Sequence, residues 1–214
     1  MNRTDIIQNI KREKFATKPL RIAFKAKDQS NCFLEMVTPQ VMDSPSDIEL
    51  LSKWRRENDH AFPAQFKVTN EGTKVWCEKA LFGPEDRVLF WVLDSEGKKV
   101  GHTGLFRLSN DGSAVEIDNI IRGEVSKTKG IIYSALQAML NWQRTYLEIP
   151  ESYLRVFSDN PKAIQLYENL GYVEIQRVPL EKIVGEVRTD WKEIISAPYK
   201  NAEKYFVTMY QAKK

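Results

Sequence analysis

The sequence predicts an α/β (α+β) domain built on a mixed central sheet of about seven strands. Three observations lead there. Residues 87–121 read as three consecutive strands joined by tight turns. Thr128 to Leu147 carries Ile132, Leu136, Met139, Leu140 and Leu147 as a broad apolar stripe at helical spacing. Ser158 to Tyr172 then reads as a strand exit, a capped short helix, a glycine stop and a new strand.

Taken in order, residues 4–14 form a weak amphipathic pattern through Ile6, Ile7 and Ile10. Phe33 to Val37 is the first strand. Ser44-Pro45-Ser46-Asp47 opens a helix bearing Ile48, Leu51 and Trp54, and Thr69 or Asn70 opens a second with Val75, Trp76 and Leu81, stopped at Gly83-Pro84. Arg87 to Asp94 is nearly all apolar, as in a strand covered on both faces. Ser95-Glu96-Gly97 turns the chain into a strand over Lys99 to Leu108, and Asn110-Asp111-Gly112 turns it into another over Ser113 to Ile121. Regular alternation in that last strand sets Val115, Ile117 and Asn119 on one side and Glu116 and Asp118 on the other. After the long helix, Tyr153 to Phe157 is a short strand. Asn160 caps the next helix, Pro161 fits its first position, and Gly171 ends it in the left-handed conformation. Tyr172 to Val178 and Tyr205 to Tyr210 complete the sheet. The roughly 25 residues between them, with Trp191, exceed an ordinary hairpin loop.

Bulk properties exclude some classes. With 214 residues, 42% hydrophobic, the chain can bury a sizeable core as one domain, and it has no repeats and no Gly/Ser-rich linker. A net charge of +3 from 32 basic and 29 acidic residues, with no long basic run, predicts no nucleic-acid partner. Cys32 and Cys77 lack metal-ligand spacing and read as buried free thiols, so no metal site is expected. No segment has signal-peptide or membrane-spanning character, so no membrane partner and a cytoplasmic location are expected.

The segment Asn160-x-x-Ala163-x-x-Leu166-Tyr167-x-x-x-Gly171-Tyr172 closely resembles the last conserved block of the GCN5-related N-acetyltransferases, the GNAT superfamily. The element order agrees over roughly residues 33–211, so the resemblance implies a GNAT fold with helices on both sheet faces. Residues 31–214 would then be one acetyltransferase domain and residues 1–30 an N-terminal extension. It also implies acetyl-CoA as acyl donor and an amine as acceptor.

In this reading a helix N-terminus receives the cofactor's pyrophosphate, because its first N–H groups lack partners and carry partial positive charge. The resemblance assigns that role to Lys127, Thr128, Lys129, Gly130, Ile131 and Ile132. Lys127 falls at the family's Arg/Gln place and Gly130 at its first glycine, while Ile132 stands where a second small residue is expected. The pantetheine arm would pair with strand backbone at Asn119, Ile120 and Ile121, as an added edge strand does. Asn160 and Ala163 match cofactor-touching positions, although Asn160 also has a capping role that can coexist with it.

For catalysis, an alkyl ammonium with a pKa near 10 must lose a proton before attack. Glu116 and Asp118 are the carboxylate candidates for the base, with His102 a third. Tyr167 matches the family tyrosine that protonates the departing thiolate. Backbone N–H groups near Asn119 and Ile120 would stabilise the oxyanion.

Three functions follow. The first is acetylation of a small-molecule amine: Arg55, Arg56, His60, Phe62, Phe66 and Trp76 around the mouth suit a sugar ring or base carrying phosphate, and the chain broadly resembles GNAT enzymes that acetylate nucleotide-linked amino sugars, the favoured acceptor. The second is acetylation of a protein N-terminus or lysine, which needs an open groove. The third is a non-catalytic acyl-CoA-binding module. The apolar strand Tyr205–Tyr210 could pair across a homodimer.

Overall fold

The computed structural model describes residues 7–8, 11, 18–194 and 202–212. Of the expected 4–14 helix, Ile7, Gln8 and Lys11 are helical, and the remainder lies outside the described residues.

The strands are β1 (Arg21–Lys25), β2 (Asn31–Met36), β3 (Ala64–Phe66), β4 (Val88–Leu93), β5 (Lys99–Leu108), β6 (Ala114–Arg122), β7 (Glu151–Phe157), β8 (Val173–Val184), β9 (Arg188–Glu193) and β10 (Lys204–Gln211). The helices are α1 (Pro45–Glu57), α2 (Asn70–Trp76), α3 (Ile131–Thr145) and α4 (Pro161–Asn169). The turns follow the sequence chemistry. Ser44 caps α1 by accepting from the Asp47 N–H, and Thr69 caps α2 by accepting from Gly72 at 3.0 Å. The helix started by α2 widens into a π-helical turn over Cys77–Phe82 before Gly83.

The sheet runs β1-β2-β4-β5-β6-β7-β10-β8-β9-β3. Its β6–β7 pair is parallel and the others are antiparallel, so it is mixed as expected. It has ten strands where about seven were read. The additions are β1, which comes from the segment expected as an extension, and β3 and β9, which pair with each other. Helices cover both faces. One core joins Val115 and Ile117 to Ile131, Ala135, Leu136 and Met139 of α3 and Tyr167 of α4. The other joins Leu89, Trp91 and Ile121 to Ile48, Leu51 and Trp54 of α1.

The expected pairing of Tyr205–Tyr210 across a dimer does not fit the sheet order. β10 pairs with β7 along one edge and β8 along the other, so Tyr205–Tyr210 has no free edge for a second copy. Among the described residues no helix is long and apolar enough to cross a membrane.

Candidate active site

The parallel pairing of β6 with β7 covers three positions, Ala114 to Glu116 against Glu151 to Tyr153. Beyond Glu116 the two strands part, and the backbone from Ile117 onward faces a cleft instead of a ladder. At the same place β6 bulges. His102 pairs with Ile121 and Gly104 with Asp118, so Asn119 and Ile120 stand opposite Thr103 alone. Asn119 takes φ +52°, a left-handed conformation that asparagine tolerates better than most residues. The extra residue reverses the alternation. Val115, Ile117 and Ile120 meet the α3 core, whereas Ile121 enters the α1 core, so the regular period read from sequence ends at the bulge.

Three elements converge on this cleft. Ile120 of β6, Ile132 of α3, and Ala163 and Ile164 of α4 all pack on the core that holds Ile131 and Tyr167. α4 is aimed by its cap, Asn160 Oδ1 accepting the Ala163 N–H at 3.2 Å, which leaves the amide nitrogen of the same side chain available to a ligand. Tyr167 is buried, and burial together with nearby Tyr172 and Asp118 pushes its phenol well above the usual range. It is a neutral O–H donor at any ordinary pH.

At the start of α3, Gly130 has φ +68°, so this position suits glycine. Ile132, placed where a small residue was expected, turns its Cδ1 onto the sheet beside Gly101, whose missing side chain makes the room. The Ile132 departure is thereby accommodated. Lys127 is 96% exposed, Lys129 is exposed and Thr128 is buried. The β1–β2 turn, unforeseen in sequence, lies against this loop. Asp28 accepts the Lys129 N–H at 3.3 Å, and the Lys27 stem runs beside Gly130 with its ammonium 4.5 Å from the Tyr133 ring.

The carboxylates are less free than the sequence implied. Glu116, 4% exposed, gives one oxygen to Arg107 and the other to Arg155 at 3.1 Å. With both oxygens taken by guanidinium groups, Glu116 clamps the vertex of the splay. Asp118 is 34% exposed, pairs with Arg107 at 2.5 Å and accepts the Asn119 N–H at 2.6 Å. His102 is buried, and that burial pushes it down to about 4, so the ring is neutral. Arg107 and Arg155 were missed because no period or spacing marks a side chain that acts across strands.

Past the cleft, β3 from the α1–α2 connection pairs with β9 of the long β8–β9 hairpin, Ala64 to Phe66 against Asp190 to Arg188. The Trp191 N–H donates to Pro63 at 2.7 Å. Arg55 secures the bridge, donating to the Ala64 carbonyl, pairing with Asp59 at 2.6 Å and lying 3.9 Å from the Phe62 ring. Of the residues expected at the mouth, Arg55, Phe62 and Phe66 meet here. Arg56 pairs instead with Glu49 at 2.6 Å, and Trp76 joins the α1 core. Beneath the bridge is a cavity of about 280 Å³ lined by His60, Phe157, Asp159, Asn160, Lys182, Trp191 and Lys204 among others. Lys204 Nζ pairs with Asp159 at 2.8 Å and sits 4.4 Å from the Phe157 ring and 4.8 Å from that of Trp191. Because Asn160 lines the cavity and also caps α4, the cavity adjoins the cleft. Among the described residues no group of three or more His, Cys, Asp or Glu side chains is placed to hold a metal ion.

Comparison with known proteins agrees with this layout. The acetyltransferase (GNAT) domain family matches residues 41–173, more than half of the chain. A spermidine N(1)-acetyltransferase of Vibrio cholerae is 32% identical over 85 residues, 40% of this chain and 49% of that enzyme, so the match spans about half of the relative. Among solved structures, the spermidine N-acetyltransferase of Vibrio cholerae with CoA and spermine superposes with TM-score 0.62 at 18% identity, covering 85% of this chain and 95% of that one. A dodecameric form of the Vibrio cholerae enzyme gives TM-score 0.57 at 19% identity over 85% of this chain and 94% of its own. These relatives overturn the expected nucleotide-linked amino sugar, since the acceptors in their names are polyamines. The cleft, its two flanking helices and the family match together establish that the chain belongs to the acetyltransferase (GNAT) family.

Proposed function

We propose that this chain is an acetyl-CoA-dependent N-acetyltransferase of small-molecule primary amines, with a polyamine such as spermidine as acceptor. The observation that carries the reading is the cleft left where β6 and β7 part after three pairs, flanked by the α3 loop and Tyr167. The polyamine comes from the named acceptor of the spermidine acetyltransferase relatives. The domain is taken as residues 31–214, with the 1–30 extension adding the edge strand β1. The reaction is placed in the cytoplasm, where buried thiols such as Cys32 and Cys77 stay reduced.

The residues present fit the cofactor. Lys127 and Gly130 to Ile132 offer backbone amides to the pyrophosphate, the Thr128 and Lys129 amides being held by Ser126 and Asp28; Asn119 to Ile121 offer strand backbone to the pantetheine arm, and Asn160 and Ala163 close the far side. When bound, acetyl-CoA supplies a thioester carbonyl open to attack by an amine. The cavity under the β3–β9 bridge receives the acceptor and orients its nitrogen toward that carbonyl. Asp118, the more exposed of the two β6 carboxylates, draws the proton from the incoming ammonium, directly or through water. Tyr167 gives its phenolic proton to the departing sulfur. Arg107, held to both Glu116 and Asp118, fixes the Asp118 carboxylate in place.

A protein acceptor fits less well, because the β3–β9 pairing roofs the groove that an extended chain would need. The test is release of coenzyme A thiol with spermidine, spermine and short peptides. Turnover with the polyamines and none with peptides is expected. Turnover with peptides alone would contradict the small-amine reading. Coenzyme A binding without release for any amine would favour the non-catalytic module.

A further inference from the structure

The buried histidine under the β6 bulge has no role in the chemistry above, yet it touches the left-handed residue of that bulge. The His102 Nδ1 lies 2.7 Å from the Asn119 carbonyl oxygen. A carbonyl oxygen only accepts, so Nδ1 carries the proton and the ring is the Nδ1–H tautomer. The ring is 4% exposed, with its centroid 5.9 Å from that of Trp54 and 6.4 Å from that of Trp91, so aromatic neighbours leave it little freedom. A left-handed backbone inside a strand is fixed by what holds it. Here two side chains hold it. Asp118 takes the Asn119 N–H at 2.6 Å and His102 takes its carbonyl.

We propose that His102 is a positioning residue for acyl transfer, holding the Asn119–Ile120 peptide so that the Ile120 N–H faces the thioester oxygen. The geometry follows from the planar trans peptide, in which C=O and the next N–H point in opposite directions. With the Asn119 carbonyl drawn to the ring, the Ile120 N–H is aimed away from His102. Ile120, Ala163 and Ile164 all pack on the core that holds Tyr167, so the amide is carried on the residue that borders the cleft. An amide fixed there before substrate arrives needs no reorganisation as negative charge grows on the carbonyl oxygen. Without the ring N–H, the half-buried Asn119 carbonyl would turn toward another donor and would take the Ile120 amide with it.

This inference rests on the cofactor reading above, so the test separates the two. His102→Asn places an amide N–H near the Nδ1 position, whereas His102→Phe keeps a ring between the tryptophans with no donor, and His102→Leu serves if the phenyl group overfills the site. Crystal structures of the variants read the Asn119 φ directly, and kinetics with acetyl-CoA and spermidine read its use. The expected result is a positive φ and near-parental kcat in His102→Asn, against a relaxed φ and a loss of about 100-fold in kcat in the donor-free variant. KM for spermidine should change little in either. A donor-free variant with parental φ and kcat would overturn the proposal, as would His102→Asn being as impaired as His102→Phe. If the φ values respond as expected while the parent protein neither binds nor turns over acetyl-CoA, the bulge-holding role stands and the cofactor reading fails.

Discussion

The two halves of the proposed active site are made by opposite uses of the same sheet. On the cofactor side, β6 and β7 stop pairing after three positions, and the cleft consists of backbone left without a partner. On the acceptor side, β3 and β9 pair across more than 120 residues of chain, and the cavity lies beneath that added ladder. The difference separates two tasks. A cofactor with a peptide-like arm is best met by unsatisfied strand edge and helix amides, which any side-chain set can supply. In the proposed reading the acceptor would be selected by what lines the cavity, here Trp191, Phe157, Asp159 and two lysines.

If the halves are separable, mutations should split cleanly between cofactor and acceptor kinetics. The largest effect belongs to Tyr167→Phe, which should lower kcat roughly 10³-fold while leaving both KM values within about threefold, as removal of a general acid does. An equal kcat for mutant and parent would remove Tyr167 from the chemistry. Next is acid stability. The folded protein holds His102 neutral down to about 4, while the unfolded chain takes up that proton near 6.5, so between these values the unfolded state binds more protons. Stability should therefore fall as pH falls from 6.5 toward 4, by up to about 3 kcal/mol from this residue. Denaturant melts of parent and His102→Asn should show the slope shrinking in the variant.

Glu116→Gln should lower stability by about 2 kcal/mol, below the usual penalty for breaking a buried pair because Arg107 and Arg155 keep partial contact with water. A thermal melt should move down by about 4–8 °C. On the acceptor side, Arg55→Ala removes the fastening of the β3–β9 bridge. It should raise the acceptor KM about tenfold with the acetyl-CoA KM unchanged, a loss of about 1.4 kcal/mol. Equal increases in both would mean that the halves are coupled. The smallest effect sharpens the acceptor assignment. Lys182 stands at the cavity with its ammonium 5.6 Å from the Trp191 ring, and its charge opposes a polycation. Lys182→Gln should lower the spermidine KM two- to threefold, as expected for about 0.5 kcal/mol of screened repulsion. A rise in KM would show that this lysine assists the acceptor.

The same contrast governs how much was legible in the sequence. The cofactor half rests on local signals. Ser44, Thr69 and Asn160 cap helices where their chemistry demands it, Gly130 and Gly171 take positive φ, and β4, β5, β6 and α3 fall within a few residues of their expected bounds. The acceptor half depends on pairing between distant segments. Ala64 to Phe66 is too short to show a strand period, and nothing local connects it to Arg188 to Asp190. The bulge at Asn119 was hidden for a related reason. An extra residue leaves no mark in a run of alternating side chains until the faces are seen to switch. Glu116 and Asp118 could be found as carboxylates, but the arginines that hold them sit on neighbouring strands.

The account stands on coenzyme A occupying the gap between the parted strands, and a crystal of the protein grown with the cofactor tests this most directly. The diphosphate should contact the loop amides at Lys127 and Gly130 to Ile132, the arm should run along Asn119 to Ile121, and the sulfur should lie within reach of the Tyr167 hydroxyl. A cofactor bound away from these residues, or β6 and β7 zipped together past Glu116 in its presence, would contradict it.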